Sequence, residues 1–142
     1  MYNISINTFV GVDFMKKTTM KLPDAELDVM KIIWNYGFAI STTQVKEDFD
    51  KIRVLNISAI QTLLNRLIER GFISSFKQGK NRYYEIIVKE SDYITKENKT
   101  FLNKLNGNSI TRLVTNLYDS SAITDDDLIE LAAFIEEKTK GC

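Results

Sequence analysis

Between Asn56 and Phe72 the chain reads NISAIQTLLNRLIERGF, and directly after Gly71 its hydrophobic period changes. Up to that glycine, apolar residues recur at helical spacing: Ile57, Ile60, Leu63, Leu64, Leu67 and Ile68. Beyond it come strand formers, Phe72, Ile73 and Phe76, then Tyr83, Tyr84, Ile86, Ile87 and Val88, on either side of KQGKNR at residues 77–82. A helix that stops on a glycine suited to a left-handed cap and passes straight into a two-stranded ribbon leaves few arrangements open. The ribbon reads as a β-hairpin with a basic tip, Gly79 making its turn. The helix has one face for a core. Its other face carries Ser58, Gln61, Thr62, Asn65 and Arg66, hydrogen-bonding side chains with few negative charges.

The elements upstream complete a pattern. The spacing predicts a helix from about Asp24 to Asn35, with Asp24 as N-cap and Leu27, Met30, Ile33 and Trp34 as its apolar stripe. Tyr36-Gly37 breaks it, and Phe38-Ala39-Ile40 reads as a short strand. Ser41 with Gln44 matches a capping box that starts a short helix, Val45 and Phe49 facing inward. Asn56 caps the next helix. Helix, short strand, helix, helix, hairpin is the layout of a winged helix-turn-helix.

Three further helices follow Ser91. The first carries Ile94, Phe101, Leu102 and Leu105 and ends near Asn106-Gly107. The second carries Ile110, Leu113, Val114, Leu117 and Tyr118 at i, i+3, i+4, i+7, i+8 spacing. The third starts at Thr124, an N-cap followed by three aspartates that suit a helix N-terminus, and continues through Leu128, Leu131, Phe134 and Ile135. These helices are too short and too amphipathic to bury their stripes alone. Their expected destination is a second chain; the alternative is that they fold back on the winged helix of their own chain. The fold class is therefore mainly α with a small β-hairpin wing. Residues 22–90 are expected to form the winged-helix domain, and 91–142 a helical dimerisation region. Residues 1–21 form an N-terminal extension, either disordered or a start placed too early, since Met15-Lys16-Lys17 reads as a more natural beginning. Within it Ile4, Ile6, Val10, Val12 and Phe14 alternate as on one face of a strand.

Composition narrows the chemistry. Histidine is absent, which removes the commonest general base near neutral pH and a major transition-metal ligand. The one cysteine, Cys142, can form neither an internal disulfide nor a metal cluster. No apolar run is long enough to span a bilayer, and the first residues lack the basic region of a secretory signal. The chain is expected to be a cytoplasmic protein and no enzyme, without cofactor, metal or small-molecule ligand. Net charge is zero but unevenly spread: residues 15–90 hold 13 basic and 9 acidic side chains, residues 91–142 hold 6 and 9. A basic front half suits an anionic partner.

In a winged helix the third helix lies in the DNA major groove and the hairpin reaches the backbone. Ser58, Gln61, Thr62 and Asn65 can exchange hydrogen bonds with base edges, and Arg66 can meet a base or a phosphate. Lys77, Lys80 and Arg82 supply positive charge for phosphates, which gives affinity without sequence information. The start of the second helix, at Thr42 and Thr43, offers backbone N–H groups to another phosphate. A homodimer suits such readout, because twofold symmetry matches palindromic operators. Winged helices also serve as protein-interaction modules, which is the competing reading.

The runs LPDAELDVMKIIW, IQTLLNRLIERGFI, ESDYI and FLNKL, in that order and with the wing between them, resemble the penicillinase-repressor (BlaI/MecI) family. The resemblance covers roughly Leu22 to Lys138. The combination of D-A-E-L-x-V-M-x-x-I-W with I-x-T-L-x-x-R-L-x-x-x-G carries it. It implies a homodimeric bacterial repressor of β-lactamase or related resistance genes. It also implies a membrane-bound sensor-protease partner, whose signal leads to cleavage within the dimerisation region. Two departures stand out. Where the family has Ser-Pro-Lys-Thr, this chain has Asn56-Ile57-Ser58-Ala59, so a lysine gives way to Ser58 and a threonine to Ala59. An alanine can still contact a thymine methyl, and the operator preference is expected to depart with this turn. The family's scissile Asn-Phe bond corresponds to Thr100-Phe101, which keeps phenylalanine and loses asparagine. A copper-responsive branch uses C-terminal cysteine pairs that Cys142 alone cannot supply. A regulator of an unrelated operon, without proteolytic control, is the alternative within the same fold.

Overall fold

In the computed structural model, which describes residues 21–140, the first helix (α1, Asp24–Tyr36) starts directly after Pro23. The expected Asp24 cap is corrected: Pro23 holds the N-cap position with no side-chain cap bond, and Asp24 is the first helical residue. Proline suits that entry because it has no N–H to leave unsatisfied. Gly37 ends α1 at φ 78°, its N–H bonded to the Ile33 carbonyl. Strand β1 is only Ile40–Ser41. Phe38, expected in it, is instead exposed and packs edge-on against Tyr36.

Helix α2 (Thr42–Phe49) is capped by Ser41, whose hydroxyl accepts from the Gln44 N–H at 3.2 Å. The return half of the expected capping box is not made, because the Gln44 amide donates to Asp48 instead. Helix α3 (Ile57–Glu69) is capped by Asn56, whose Oδ1 accepts from the Ala59 N–H at 2.8 Å. At its far end Gly71, at φ 82°, and Phe72 send their N–H groups to the carbonyls of Ile68 and Leu67. That is a Schellman closure, and it turns the chain into the wing.

The wing pairs β2 (Ile73–Gln78) with β3 (Asn81–Ile86), and β1 adds on the other side, giving sheet order β1-β3-β2. Gly79 and Lys80 are the two loop residues between the Gln78–Asn81 pair, with positive φ at Gly79, as a type II′ turn requires. The register pairs Ile73 with Ile86 and Ser75 with Tyr84 near the core and, at the exposed tip, Lys77 with Arg82.

Around this frame packs one apolar cluster that includes Met30, Ile33, Trp34, Phe49, Ile60, Leu64, Leu67, Phe72 and Tyr84. One member of the expected α3 stripe is corrected: Ile57 is 46% exposed, because it stands at the first helical position, beyond the reach of the core. Two polar ties cross the cluster. The Tyr93 hydroxyl accepts from the Leu22 N–H at 2.9 Å, and the Trp34 indole donates to the Val88 carbonyl at 2.8 Å.

By contact the chain divides into two compact units, one ending at Glu97 and the other beginning at Asn98. Helix α4 (Glu90–Asn106) begins in the first; its remainder, α5 (Ile110–Asp119) and α6 (Asp125–Thr139) make up the second. Thr124 forms a full capping box with Asp127 at the start of α6. No helix among the described residues is long and apolar enough to cross a membrane. The strand expected around Ile4–Phe14, and Cys142, lie outside the described residues.

Candidate nucleic-acid interface

Helix α3 is divided cleanly between two faces. Ile60, Leu63, Leu64 and Leu67 are buried, whereas Ser58, Gln61, Thr62, Asn65 and Arg66 are all exposed. On a helix, residues four apart stack in rows. The exposed side chains therefore fall into two neighbouring rows, Ile57-Gln61-Asn65 and Ser58-Thr62-Arg66. The Thr62 hydroxyl donates to the Ser58 carbonyl at 3.0 Å, so it presents its methyl and an acceptor outward rather than a donor. Ala59 is half-buried and Asn56 is occupied by its capping bond, which leaves both at the edge of the polar face. The first turn of α3 holds no acidic residue, and its N-terminal end carries the positive end of the helix dipole. Glu69, one turn beyond Asn65, is exposed and brings the first negative charge on this face.

The wing supplies charge of one sign. Lys77 and Arg82 face each other directly across the β2–β3 ladder, and Lys80 sits in the turn between. Like charges directly opposite destabilise a sheet. Arg82 donates to the Ser75 hydroxyl at 2.9 Å, and none of Lys77, Lys80, Arg82 and Arg66 is in an ion pair among the described residues. Other cations are paired: Lys46 with Asp50, Lys51 with Asp48, Arg53 with Asp28. The hairpin tip thus presents an open set of cations. Of the α2 residues, Thr43 is exposed, while the Thr42 side chain is turned inward to donate to the Tyr84 hydroxyl at 3.1 Å.

Three residues that hold this surface were not singled out by sequence reasoning. Glu26 is 1% exposed and binds Arg70 through an Nε–Oε1 contact of 2.6 Å, pinning the C-terminal end of α3 to the first turn of α1. The available signal was its position: Glu26 falls one turn before Val29 and Met30, at a core position of the helical period, where a carboxylate needs a cation. Tyr93 packs tilted against Trp34 and edge-on against Phe72, and its hydroxyl accepts the Leu22 N–H. Burial raises its pKa above the ordinary 10.0, against a lowering by the Leu22 hydrogen bond.

The residues expected at a dimer contact are all left open to some degree. Phe101, Leu105, Ile110, Phe134, Ile135 and, in the first unit, Ile94 are exposed; Leu102, Leu113, Val114, Leu117, Leu128 and Leu131 are half-buried. An open groove of about 570 Å³ runs between α5 and α6, lined by Val114, Leu117, Ile123, Leu131 and Phe134 with Asp127 and Glu130. Thr100 and Phe101 lie well inside the 17-residue α4, so the bond between them is in helical conformation. No cluster of metal-ligating side chains occurs among the described residues.

A family model described as penicillinase repressor matches residues 22–137. The chain is 33% identical over 123 residues to the penicillinase repressor of Bacillus licheniformis, covering 87% of this chain and 94% of that protein. It is 32% identical over 124 residues to the methicillin resistance regulatory protein MecI of Staphylococcus aureus (strain N315), covering 87% of this chain and all of that one. Among solved structures it is similar to the monomeric form of Bacillus licheniformis BlaI in complex with the blaP half-operator. That match has 38% identity and a TM-score of 0.45, over 52% of this chain and 89% of the other.

Proposed function

This chain belongs to the penicillinase repressor family, and from that premise we propose that it is a homodimeric repressor of β-lactamase or related resistance genes, acting in the cytoplasm on operator DNA. It is not an enzyme. The observation that carries the proposal is the division of α3: four buried aliphatic residues fix the helix, and Gln61, Thr62, Asn65 and Arg66 are left in rows at hydrogen-bonding reach of whatever meets that face. Glutamine and asparagine match the donor and acceptor pair of adenine, and arginine matches guanine. Lys77, Lys80 and Arg82 act as phosphate contacts that set register. The apolar faces of α4, α5 and α6 supply the dimer contact, with Ile94, Phe101, Leu102, Leu105, Ile110, Leu113, Val114, Leu117, Leu128, Leu131, Phe134 and Ile135 as its members.

Derepression follows from cutting at Thr100-Phe101 in response to a membrane-bound sensor-protease. A protease reads an extended strand, so this helical bond must unwind locally before it is cut. Cleavage separates the DNA-reading unit, with Ile94, from the rest of the dimer contact, and the loss of two linked half-sites weakens binding far more than any single contact.

The test is binding of the purified full chain to promoter fragments from its own genome, at several salt concentrations, with random duplex as competitor. A repressor gives a steep salt slope and a preference of about a thousand-fold or more for its operator. Weak, equal binding to every fragment would instead favour a protein-interaction module.

A further inference from the structure

Ile57 is the one large apolar side chain of α3 left exposed, at 46%, and it is absent from the residues packed on the core. It heads the row that continues through Gln61 and Asn65. Its backbone is fixed on the C-terminal side, because the Asn56 side chain holds the Ala59 N–H at 2.8 Å and the Asn56 carbonyl holds the Ile60 N–H at 3.2 Å. Isoleucine in a helix is restricted to one strongly preferred χ1 rotamer. The branch at its Cβ narrows the choice of χ1, so little side-chain freedom about that bond is lost when a partner arrives.

We infer that Ile57 is a specificity-determining residue that packs against the 5-methyl group of a thymine at the edge of each half-site. The inference rests on the DNA-binding reading above and goes beyond it by assigning a base identity to an apolar residue. The first turn of a recognition helix is the part that meets base edges. In the major groove the thymine methyl is the apolar group on offer, and an aliphatic side chain covering it gains where a cytosine or a demethylated base would not. Ala59 competes poorly for the same task, being half-buried with a single methyl. Thr62 has a methyl outward, but one turn further along the neighbouring row.

The experiment selects a preferred duplex from a random-sequence pool with the full-length protein, then replaces each thymine in turn by deoxyuridine, which removes only the methyl. The inference expects one thymine per half-site whose replacement weakens wild-type binding about four-fold, the equivalent of about 0.8 kcal/mol for one buried methyl group. Ile57→Ala should bind the thymine and uracil duplexes alike, and Ile57→Val should keep most of the difference. Melting of both variants near the wild-type temperature confirms the fold. If no thymine is sensitive, or if Ile57→Ala keeps the full difference, the inference is overturned while DNA recognition stands. If no sequence is enriched at all, the DNA-binding reading falls, and this one with it.

Discussion

The winged helix and the C-terminal unit use the same helical spacing to different effect. In the first, the stripe of α3 closes on Met30, Phe49, Phe72 and Tyr84, and every buried apolar side chain among the described residues lies between Leu22 and Tyr93. In the second, α5 repeats the same i, i+3, i+4 pattern, yet neither α5 nor α6 buries a single side chain. Apolar periodicity states which face must be covered; it does not state by what. A stripe covered within its own unit contributes to the stability of that unit at any concentration, whereas an open stripe stabilises only an assembly and so depends on concentration.

The sharpest way to break this contrast is one substitution in each region. Leu64→Ala, at a fully buried site, should lower unfolding free energy by about 2–5 kcal/mol in denaturant titrations, equally in dilute and concentrated solution. Phe134→Asp should leave that transition in place and weaken self-association by roughly 2 kcal/mol, about thirty-fold in sedimentation experiments. An unchanged dimer would remove α6 from the contact. On the exposed polar side of the same α3, the proposed base contact at Arg66 predicts that Arg66→Ala costs roughly 1–3 kcal/mol on the preferred duplex and relaxes its sequence preference. Lys80→Ala should weaken all duplexes alike and reduce the salt slope by about one. Exchange of those two behaviours would reverse the roles of helix and wing.

The smallest effect is expected at Tyr93, where Phe leaves the Leu22 N–H without its acceptor and costs about 1–2 kcal/mol. Its folded pKa is raised above 10.0, chiefly by burial, so the phenol's contribution is fully present below pH 10 and is lost as pH rises through the folded value. Tyr93→Phe should therefore flatten the alkaline loss of stability. A loss of equal steepness in the variant would assign it to other groups. Tyr118 is also raised, through donation of its hydroxyl to Asp125 at 2.6 Å, but on the open surface of the second unit.

Much of this architecture was legible because local signals agreed with it. Asn56 and Thr124 cap where they were expected, Gly71 and Gly79 turn where only a permissive backbone fits, and the polar face of α3 is exposed as read. What escaped depended on three dimensions. Ile57 fits the helical period of the core stripe, but the period says nothing of where the core ends. Glu26 reads as an ordinary carboxylate until Arg70, distant in sequence, comes to meet it. Gln44 had two acceptable partners, and its choice of Asp48 over the Ser41 N–H turns on side-chain placement that spacing cannot reveal. The partner of each exposed polar residue of α3 lies on another molecule, so helical spacing exposes the side chain without naming what it meets.

Phe72 has a consequence for how such a surface would meet a duplex. Its N–H closes the end of α3 on Leu67, and its carbonyl receives the N–H groups of both Ile87 and Val88 at the far side of the wing. One buried residue is thus the hinge pin between helix and hairpin, and it is clamped on both sides. The helix and the hairpin stem work as the two jaws of a locked calliper, with a gap set by the fold. On the proposed DNA-binding reading, a duplex whose groove does not match that gap would have to widen, narrow or bend, and part of the selectivity would lie in DNA stiffness at base pairs the protein never touches.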